Sequence, residues 1–312
     1  MATKELKLPE LEAGEHAGCY LFPFMNSVME RLKVMGRQRT FETYAAALKS
    51  FTAFRHNHDL SISEIDSELM LLYEAYLQKR GLTKNTTSFY MRILRAVYNR
   101  AVEKELTVQR YPFRHVYTGV AKSVKRAISL EDIRRIKELD LSEHPSIEFS
   151  RDMFIFSFCT RGMSFIDMAF LQKRNLQNGV LSYCRRKTGQ RLSIRWERCM
   201  EEIVGRYNMQ RSSYLLPIIK HADSDLRGQY LNAMCLVNRH LKHIGVMAGL
   251  HLPLTMYVAR HSWATAARSK NIPISVISEG MGHDSEKTTS IYLASLENSV
   301  IDEANNVILR EL

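Results

Sequence analysis

The chain of 312 residues is 45% hydrophobic, which is enough for one large domain or two ordinary ones with buried cores and excludes an intrinsically disordered protein. Its formal net charge of +11 suits a polyanionic partner such as nucleic acid, while five scattered cysteines argue against a disulfide framework or a zinc site. Because no stretch approaches the ~18 apolar residues of a membrane span and the first residues lack the order of a signal peptide, we expect a cytoplasmic protein without membrane contact.

Three helices are predicted in the first third of the chain. Residues 1–24 show no clear periodicity and are expected to be a short leader. From Arg39 onward, apolar residues recur at three- and four-residue spacing and predict an amphipathic helix. A second helix is predicted between a capping Asp66 and a terminating Gly81, and a third follows it. We therefore predict a small helical bundle over residues 25–108.

The positive charge is concentrated between residues 79 and 126, where twelve basic residues accompany only two acidic ones. The third helix places its apolar residues on one face and leaves its cations to point elsewhere. A run of charge by itself fits a solvated surface equally well, but a basic helical face also suits the phosphates of a duplex. The predicted DNA-binding residues are Lys84, Arg92, Arg95, Arg100, Lys122, Lys125 and Arg126.

A second domain is predicted over residues 129–312, after a basic linker at residues 109–128 that contains Pro112. Ser129, followed by two acidic residues, indicates a capped helix at the start of this domain. Further along, two short strand patterns flank a Lys-Thr-Gly-Gln sequence and predict a hairpin with Lys187 at its tip. Because the rest is predicted to be mostly helical, we expect a mainly α protein with one small hairpin or sheet.

Tyr292, near the C-terminus, follows three basic residues of chemical interest. A tyrosine hydroxyl has a pKa of about 10 and is a poor nucleophile unless cations stabilise its oxyanion. Arg260 offers a fork of donors that matches a phosphate, and Lys187 offers a proton for a departing oxygen. His283 has a ring that can donate to phosphate or accept the tyrosine proton. Together these residues supply what transesterification at a phosphodiester requires.

The ordered set of Lys187, Arg260, His283 and Tyr292 resembles the catalytic box of the tyrosine recombinase, or phage integrase, family. The resemblance is strong from about Phe154 to the C-terminus and looser back to about Arg39. It implies a SAM-like core-binding domain and a mixed α/β catalytic domain. It also implies a site-specific recombinase that joins tyrosine to a DNA 3′-phosphate and releases a 5′-hydroxyl, with no metal or nucleotide cofactor.

The same resemblance implies the partners of the protein. These are double-stranded DNA and other protomers in a DNA-bound tetramer, with a DNA-bending accessory protein as an optional third. The setting would be bacterial or phage-type, with the protein associated with the nucleoid in the cytoplasm. Integration, excision and inversion share one chemistry, so the sequence does not distinguish them.

Two positions depart from the family pattern. Tyr257 occupies a position where a histidine is usual, so a general-base role shifts toward His283 or water. Ser164 occupies the position of the first catalytic arginine. We expect Arg161, one helical turn earlier, to replace that arginine, and we keep Arg185, two residues before the hairpin lysine, as the alternative.

Two other functions are compatible with these residues. A type IB topoisomerase has a similar active site but acts on one duplex without pairing two sites. A DNA-binding regulator that kept the fold but lost catalysis would account for the substitutions at Tyr257 and Ser164. The helical N-terminal bundle and the chain length favour the recombinase over the topoisomerase.

Overall fold

The computed structural model describes residues 19–121, 126–207, 212–283, 285–293 and 309. The chain divides into two units, residues 1–123 and residues 124–312. As predicted, the architecture is mainly helical with one small sheet. Among the described residues, no helix is both long and apolar enough to cross a membrane.

The described part of unit 1 contains four α-helices that enclose an apolar core. Asp66 caps the third helix, because its carboxylate accepts a hydrogen bond from the Leu69 amide at 2.8 Å, as the sequence predicts. In the core, the rings of Phe51 and Tyr73 meet edge to face at 5.0 Å, and the Tyr73 hydroxyl donates to Ser50 at 2.8 Å. The helices are α1 (Leu21–Val34), α2 (Gln38–Phe54), α3 (Ser67–Lys79) and α4 (Lys84–Glu103).

Helix α1 begins at Leu21, inside the segment that the sequence predicts as a leader up to residue 24. Its buried residues include Phe24, Val28 and Leu32, which follow helical spacing and join the core of unit 1. Pro23 suggests a break in this segment, yet a proline in the first turn of a helix removes no intrahelical hydrogen bond. The helical bundle therefore begins before residue 25, the predicted boundary.

The segment predicted as a linker, residues 109–128, packs on unit 1 over most of its described length. Phe113 and Val116 are buried in the core of unit 1. The Asn85 side chain of α4 donates to the Ala121 carbonyl at 3.0 Å and accepts from its amide at 2.8 Å. The pattern did not predict this packing because isolated apolar residues in a loop follow no regular period.

Unit 2 contains eight α-helices and one sheet within its described residues. The predicted cap at Ser129 is confirmed: its hydroxyl accepts from the Asp132 amide at 3.0 Å, and the Asp132 carboxylate accepts from the Ser129 amide at 3.1 Å. The helices are α5 (Leu130–Glu138), α6 (Pro145–Cys159), α7 (Phe165–Ala169), α8 (Arg198–Gly205), α9 (Leu226–Met247), α10 (Met256–Ser269), α11 (Ile274–Met281) and α12 (Glu286–Tyr292).

The sheet of unit 2 is antiparallel, with strands β1 (Leu176–Gln177), β2 (Val180–Cys184) and β3 (Arg191–Arg195) in that order. β2 and β3 form the predicted hairpin. Leu181 pairs with Ile194 in this register, and both side chains are buried because alternate residues of a strand face the core. The two-residue strand β1 is too short to show any alternation in the sequence.

Helix α6 is the central element of unit 2 and is buried on nearly all sides, including the side chains from Met153 to Phe156. It packs against α9 and α10. Its C-terminal end leads into the turn at Thr160, Arg161 and Gly162. This turn therefore extends directly from the buried core of unit 2.

Candidate active site

Arg260 lies on α10 with only 4% of its surface exposed. One terminal nitrogen of its guanidinium donates to the Gly162 carbonyl at 2.8 Å, and the other donates to the Met281 carbonyl at 2.7 Å. Burial, followed by the positive charge of Arg185, lowers the pKa of Arg260 to about 10. The group therefore stays charged at neutral pH, although it is held out of water.

Gly162 is required where the turn after α6 meets Arg260. Its φ of +75° is in the left-handed region, and the preceding Arg161 also has a positive φ of 61°. A Cβ atom on Gly162 would lie 2.6 Å from the Cα of Arg260, closer than non-bonded carbons approach. The missing side chain is thus what lets the Gly162 carbonyl reach the guanidinium.

His283 lies beside Arg260, just after α11. Its Nε2 is 2.9 Å from a terminal nitrogen of Arg260, and its Nδ1 is 2.7 Å from the Thr289 hydroxyl of α12. Burial is the largest cause that lowers the pKa of His283 to about 4, and the charges of Arg260, Arg185 and Lys187 act in the same direction. The imidazole is therefore neutral near pH 7.

The turn between β2 and β3 contributes Arg185 and Lys187 to the site. Arg185, which follows β2, is buried and donates a hydrogen bond to the Gly282 carbonyl. A Cβ atom on Gly282 would lie 2.9 Å from the Leu192 side chain, so the hairpin packs closely on the end of α11. Lys187 lies at the tip of the hairpin, as predicted, and is exposed.

Ser164 and Asp167 hold the base of this hairpin turn. The Ser164 hydroxyl donates to one Asp167 carboxylate oxygen at 2.6 Å, and the other oxygen accepts from the Arg186 amide at 2.9 Å. Ser164 also caps α7, since its hydroxyl accepts from the Asp167 amide. The serine in the position of the family arginine therefore positions the turn that bears Arg185 and Lys187.

The two candidate replacements for that arginine occupy different surroundings. Arg161 is half-buried, and one of its terminal nitrogens is 3.5 Å from the Ser193 carbonyl, the weak limit of a hydrogen bond. The positive charge of Arg185 lowers the pKa of both Arg260 and His283, whereas that of Arg161 has no comparable effect on either. Arg185 is therefore electrostatically part of the site.

Tyr257 lies one helical turn before Arg260 on α10 and is 56% exposed. Its ring meets that of His261 edge to face, with centroids 4.7 Å apart. Desolvation by the surrounding protein raises the pKa of the Tyr257 hydroxyl, although the positive charges of Arg260 and Arg185 oppose the rise. The hydroxyl keeps its proton near neutral pH and is a hydrogen-bond donor.

Tyr292 is the last residue of α12, nine residues after His283. Its side chain lies outside what the structure describes. Its backbone position lies about one helical turn after Thr289, because the two residues are three apart in the helix. The helix of the predicted nucleophile is thus the helix that contacts His283.

Of the predicted DNA-binding residues, four lie on α4. Arg92 lies near the middle of the exposed strip of this helix, and Lys84 and Arg95 lie toward one edge. The Lys84 ammonium is 4.2 Å from the centre of the Tyr117 ring. Arg100 lies toward the other edge, beside the ring of Tyr44. Arg126 is exposed, and Lys122 and Lys125 lie outside the described residues.

Three buried polar atoms at the site have no hydrogen-bond partner within the described structure. They are the Nε of Arg260, the hydroxyl of Thr188 and the side-chain carbonyl of Gln190, the last two in the hairpin turn. Buried polar atoms are normally satisfied, so unmet groups in one place indicate where a ligand binds. No group of three potential metal ligands occurs among the described residues.

The sequence did not single out Gly162 or Thr289. Gly162 contacts a residue 98 positions away, so no local pattern indicates its role. Thr289 gave one weak signal, its position three residues before Tyr292 at helical spacing.

Two family models match the sequence of this chain. The family model described as "Phage integrase SAM-like domain" matches residues 20–116, and the one described as "Phage integrase family" matches residues 185–299. The chain belongs to the phage integrase family of tyrosine recombinases. The second match includes Arg185, Lys187, Arg260, His283 and Tyr292. No curated protein sequence matches the chain.

Several solved integrase structures share the fold. A lambda integrase dimer bound to a COC′ core site superposes with a TM-score of 0.69 at 15% identity, over 88% of this chain and 95% of that one. The Tn1549 transposon integrase with a circular-intermediate DNA gives 0.67 at 13% identity, over 93% and 99%. XerH recombinase on its difH substrate gives 0.63 at 17%, over 90% and 84%.

Family membership confirms two predictions. The fold class is a SAM-like helical bundle followed by an integrase catalytic domain. The enzyme class is that of the site-specific tyrosine recombinases. The roles of individual residues are not decided by membership and are treated below as proposals.

Proposed function

We propose that this phage integrase family member cleaves and rejoins DNA through Tyr292. The tyrosine oxygen attacks a backbone phosphorus, the new bond is a 3′-phosphotyrosyl ester, and the bond to the 5′-oxygen breaks. The main support is the buried guanidinium of Arg260, whose Nε has no partner within the described structure and which lies beside a neutral His283. Such a fixed, desolvated cation stabilises the charge that grows on a five-coordinate phosphorus.

Arg185 is the best candidate for the second cation on the phosphate. Its burial and its electrostatic effect on Arg260 and His283 support this role. A guanidinium held by a backbone carbonyl is already oriented and loses little entropy when it binds phosphate. Arg161, which the sequence favours for this role, instead supports the turn that meets Arg260.

Two further groups complete the proposed chemistry. Lys187, exposed at the hairpin tip, donates the proton that the departing 5′-oxygen needs. His283 accepts the proton of the tyrosine hydroxyl, because its low pKa leaves the ring neutral. Tyr257 keeps its own proton and donates a hydrogen bond to a phosphate oxygen. The reverse steps rejoin the strand, and the phosphotyrosine conserves the bond energy without ATP.

The substrate and assembly follow from the same reasoning. Structural relatives include a lambda integrase dimer on a core site and a lambda integrase tetramer bound to a Holliday junction. We propose that this chain likewise acts on double-stranded DNA with other protomers in a tetramer, and that the cations of α4 contact phosphates. A DNA-bending accessory protein would assist at sites that must be bent. Because the substrate is genomic DNA, we place the enzyme at the nucleoid in the cytoplasm.

A nicked suicide substrate tests the proposal, because loss of a short 5′-hydroxyl fragment traps the covalent complex. We expect the wild-type chain to form a complex that survives denaturation and that Tyr292→Phe forms none. Tyr257→Phe is the matched control on a tyrosine that is not the nucleophile, and it should keep measurable covalent product. Covalent product from the Tyr292 variant at the wild-type level would reject the proposal.

Two other outcomes would identify the alternatives named by the sequence. A gel shift by the wild-type chain without any covalent complex would indicate a DNA-binding regulator. Relaxation of a supercoiled plasmid that lacks a specific site would indicate a topoisomerase.

A further inference from the structure

Thr289 is a fully buried residue in the middle of α12, with 0% of its surface exposed. Its hydroxyl lies 2.7 Å from Nδ1 of His283, and the opposite ring nitrogen lies 2.9 Å from Arg260. The ring of the histidine is therefore held between the helix of the nucleophile and the buried arginine. Neither the sequence pattern nor family membership gives Thr289 a role.

The hydrogen-bond chemistry of these contacts determines the protonation of the ring. A guanidinium has only donors, so Arg260 donates and Nε2 of His283 accepts with its lone pair. In a neutral imidazole the other nitrogen must then bear the hydrogen, and Nδ1 donates it to the Thr289 oxygen. Arg260 thus selects this tautomer, and the Thr289 hydroxyl accepts the hydrogen that the tautomer places on Nδ1.

We propose that Thr289 is a positioning residue for DNA cleavage: its hydroxyl accepts the Nδ1 hydrogen of the His283 tautomer in which Nε2 is a proton acceptor, and it joins α12 to that ring. This inference rests on the proposed function, in which His283 accepts the Tyr292 proton. Phosphate binding redirects the donors of Arg260 to phosphate oxygens and frees the Nε2 lone pair. The tyrosine proton then moves to Nε2 as the bond between the tyrosine oxygen and phosphorus forms.

The surroundings of the ring favour this role. Among the described residues, the charged groups that lower the pKa of His283 are Arg260, Arg185 and Lys187, from α10 and the hairpin turn, and all three are positive. They oppose a second proton on the resting ring, and a neutral acceptor at Nδ1 does not favour that second proton as a carboxylate would. Helix α12 has seven residues and no side-chain cap at its N-terminus, so it is marginal alone. The bond to His283 therefore also fixes where the helix, and its last residue Tyr292, lies.

Three variants of α12 test the proposal. Thr289→Val keeps the shape but removes the hydroxyl, and Thr289→Ser keeps the hydroxyl. Thr288→Val is the matched control, because this exposed neighbour contacts Ser285 at 3.3 Å. With saturating protein on the suicide substrate, we expect cleavage by Thr289→Val to fall by about tenfold or more, the effect of losing one hydrogen bond in the transition state. Thr289→Ser and Thr288→Val should stay within about threefold of wild type.

Two measurements distinguish positioning from simple folding. Nitrogen-15 spectra of the imidazoles should show that His283 in the wild-type chain has a protonated Nδ1 and an unprotonated Nε2, with His283→Gln identifying the signal. In Thr289→Val the Nδ1 hydrogen loses its acceptor, so the Nδ1 signal should shift, and the pH profile of cleavage should change while DNA affinity does not. The opposite tautomer in the wild-type chain would overturn the proposal, even if the valine variant does not fold.

The outcomes also separate this inference from the proposed function. Wild-type cleavage by Thr289→Val, or a slow variant with an unchanged Nδ1 signal and pH profile, rejects a positioning role while the trapped phosphotyrosine remains. Covalent product from Tyr292→Phe rejects the nucleophile, whatever the Thr289 variants show.

Discussion

The two units of the protein differ in whether they bury charged side chains. Among the described residues, unit 1 buries no charged side chain, and its predicted DNA-binding cations on α4 are exposed or half-buried. Unit 2 buries two arginines of the site, Arg185 and Arg260, together with the carboxylate of Asp167. Buried charges are costly unless they are hydrogen-bonded, and backbone groups supply the partners of all three.

This difference corresponds to two uses of a cation. A group that binds the outside of a duplex gains from counterion release and needs no fixed geometry, so it can remain in water. A group that stabilises a transition state acts best when it is already desolvated and oriented. Changes in unit 1 should therefore alter affinity, and changes in the buried set of unit 2 should alter rate.

The largest expected effect is at Arg185. Replacement by alanine removes a fixed donor from the proposed phosphate site, and we expect single-turnover cleavage to fall by about 10²- to 10³-fold. Arg161→Ala should cost less than about tenfold, because this group lies outside the buried set. Arg185→Lys keeps the charge but loses the fork and should recover part of the rate. If Arg161→Ala proved the more damaging change, Arg161 would be the replacement for the family arginine.

Next in size is a change at Gly162. An alanine there combines a left-handed backbone with a Cβ only 2.6 Å from the Arg260 backbone. We expect a loss of about 2 kcal/mol or more in the free energy of unfolding, with slower cleavage. Gly179→Ala is the matched control, since φ is +73° and no atom lies within 4 Å of the new Cβ. It should cost only about 1 kcal/mol, and equal losses in denaturant unfolding would contradict the proposed contact.

The third prediction concerns pH. His283 has a folded pKa of about 4, below its usual value of about 6.5, so between these values the unfolded chain binds the additional proton. The stability contributed by the neutral ring is complete above about pH 6.5 and is lost as pH falls toward 4. Because one imidazole binds at most one additional proton, the slope stays below about 1.4 kcal/mol per pH unit.

Denaturant unfolding of the wild type and of His283→Gln between pH 7 and pH 5 measures this contribution. The wild type should lose more stability than the variant over this range. Parallel curves for the two proteins would show that the ring is not held neutral by its surroundings.

The smallest effect is expected on unit 1. Arg92→Ala removes a cation from the middle of the exposed strip of α4, and it should lower the slope of log affinity against log salt by about 1. Lys33→Ala removes the same charge from α1, where the ammonium is paired with Glu30, and should leave the slope nearly unchanged. Cleavage at saturating protein should be unaffected by either change, and a slower rate in Arg92→Ala would mean that unit 1 also takes part in the chemical step.

Prediction from sequence succeeded where structure is local. The cap at Asp66, the cap at Ser129 and the hairpin with Lys187 at its tip depend on residues close together in the chain, and all three are confirmed. Prediction was less successful at α1, whose first residues were assigned to the leader, and in residues 109–121, where the packing has no period. The choice between Arg161 and Arg185 depends on what each side chain contacts, which distance in sequence from Ser164 does not show.

By itself, the sequence determined the family, the two-part helical architecture and the order of the residues proposed for catalysis, because these depend on residue type and short-range spacing. Only the tertiary structure decided what holds the site in place. Arg260 meets a carbonyl 98 residues away, and Arg185 meets one 97 residues away. Every residue has a backbone carbonyl, so such partners leave no mark in a sequence and are selected only when the chain folds.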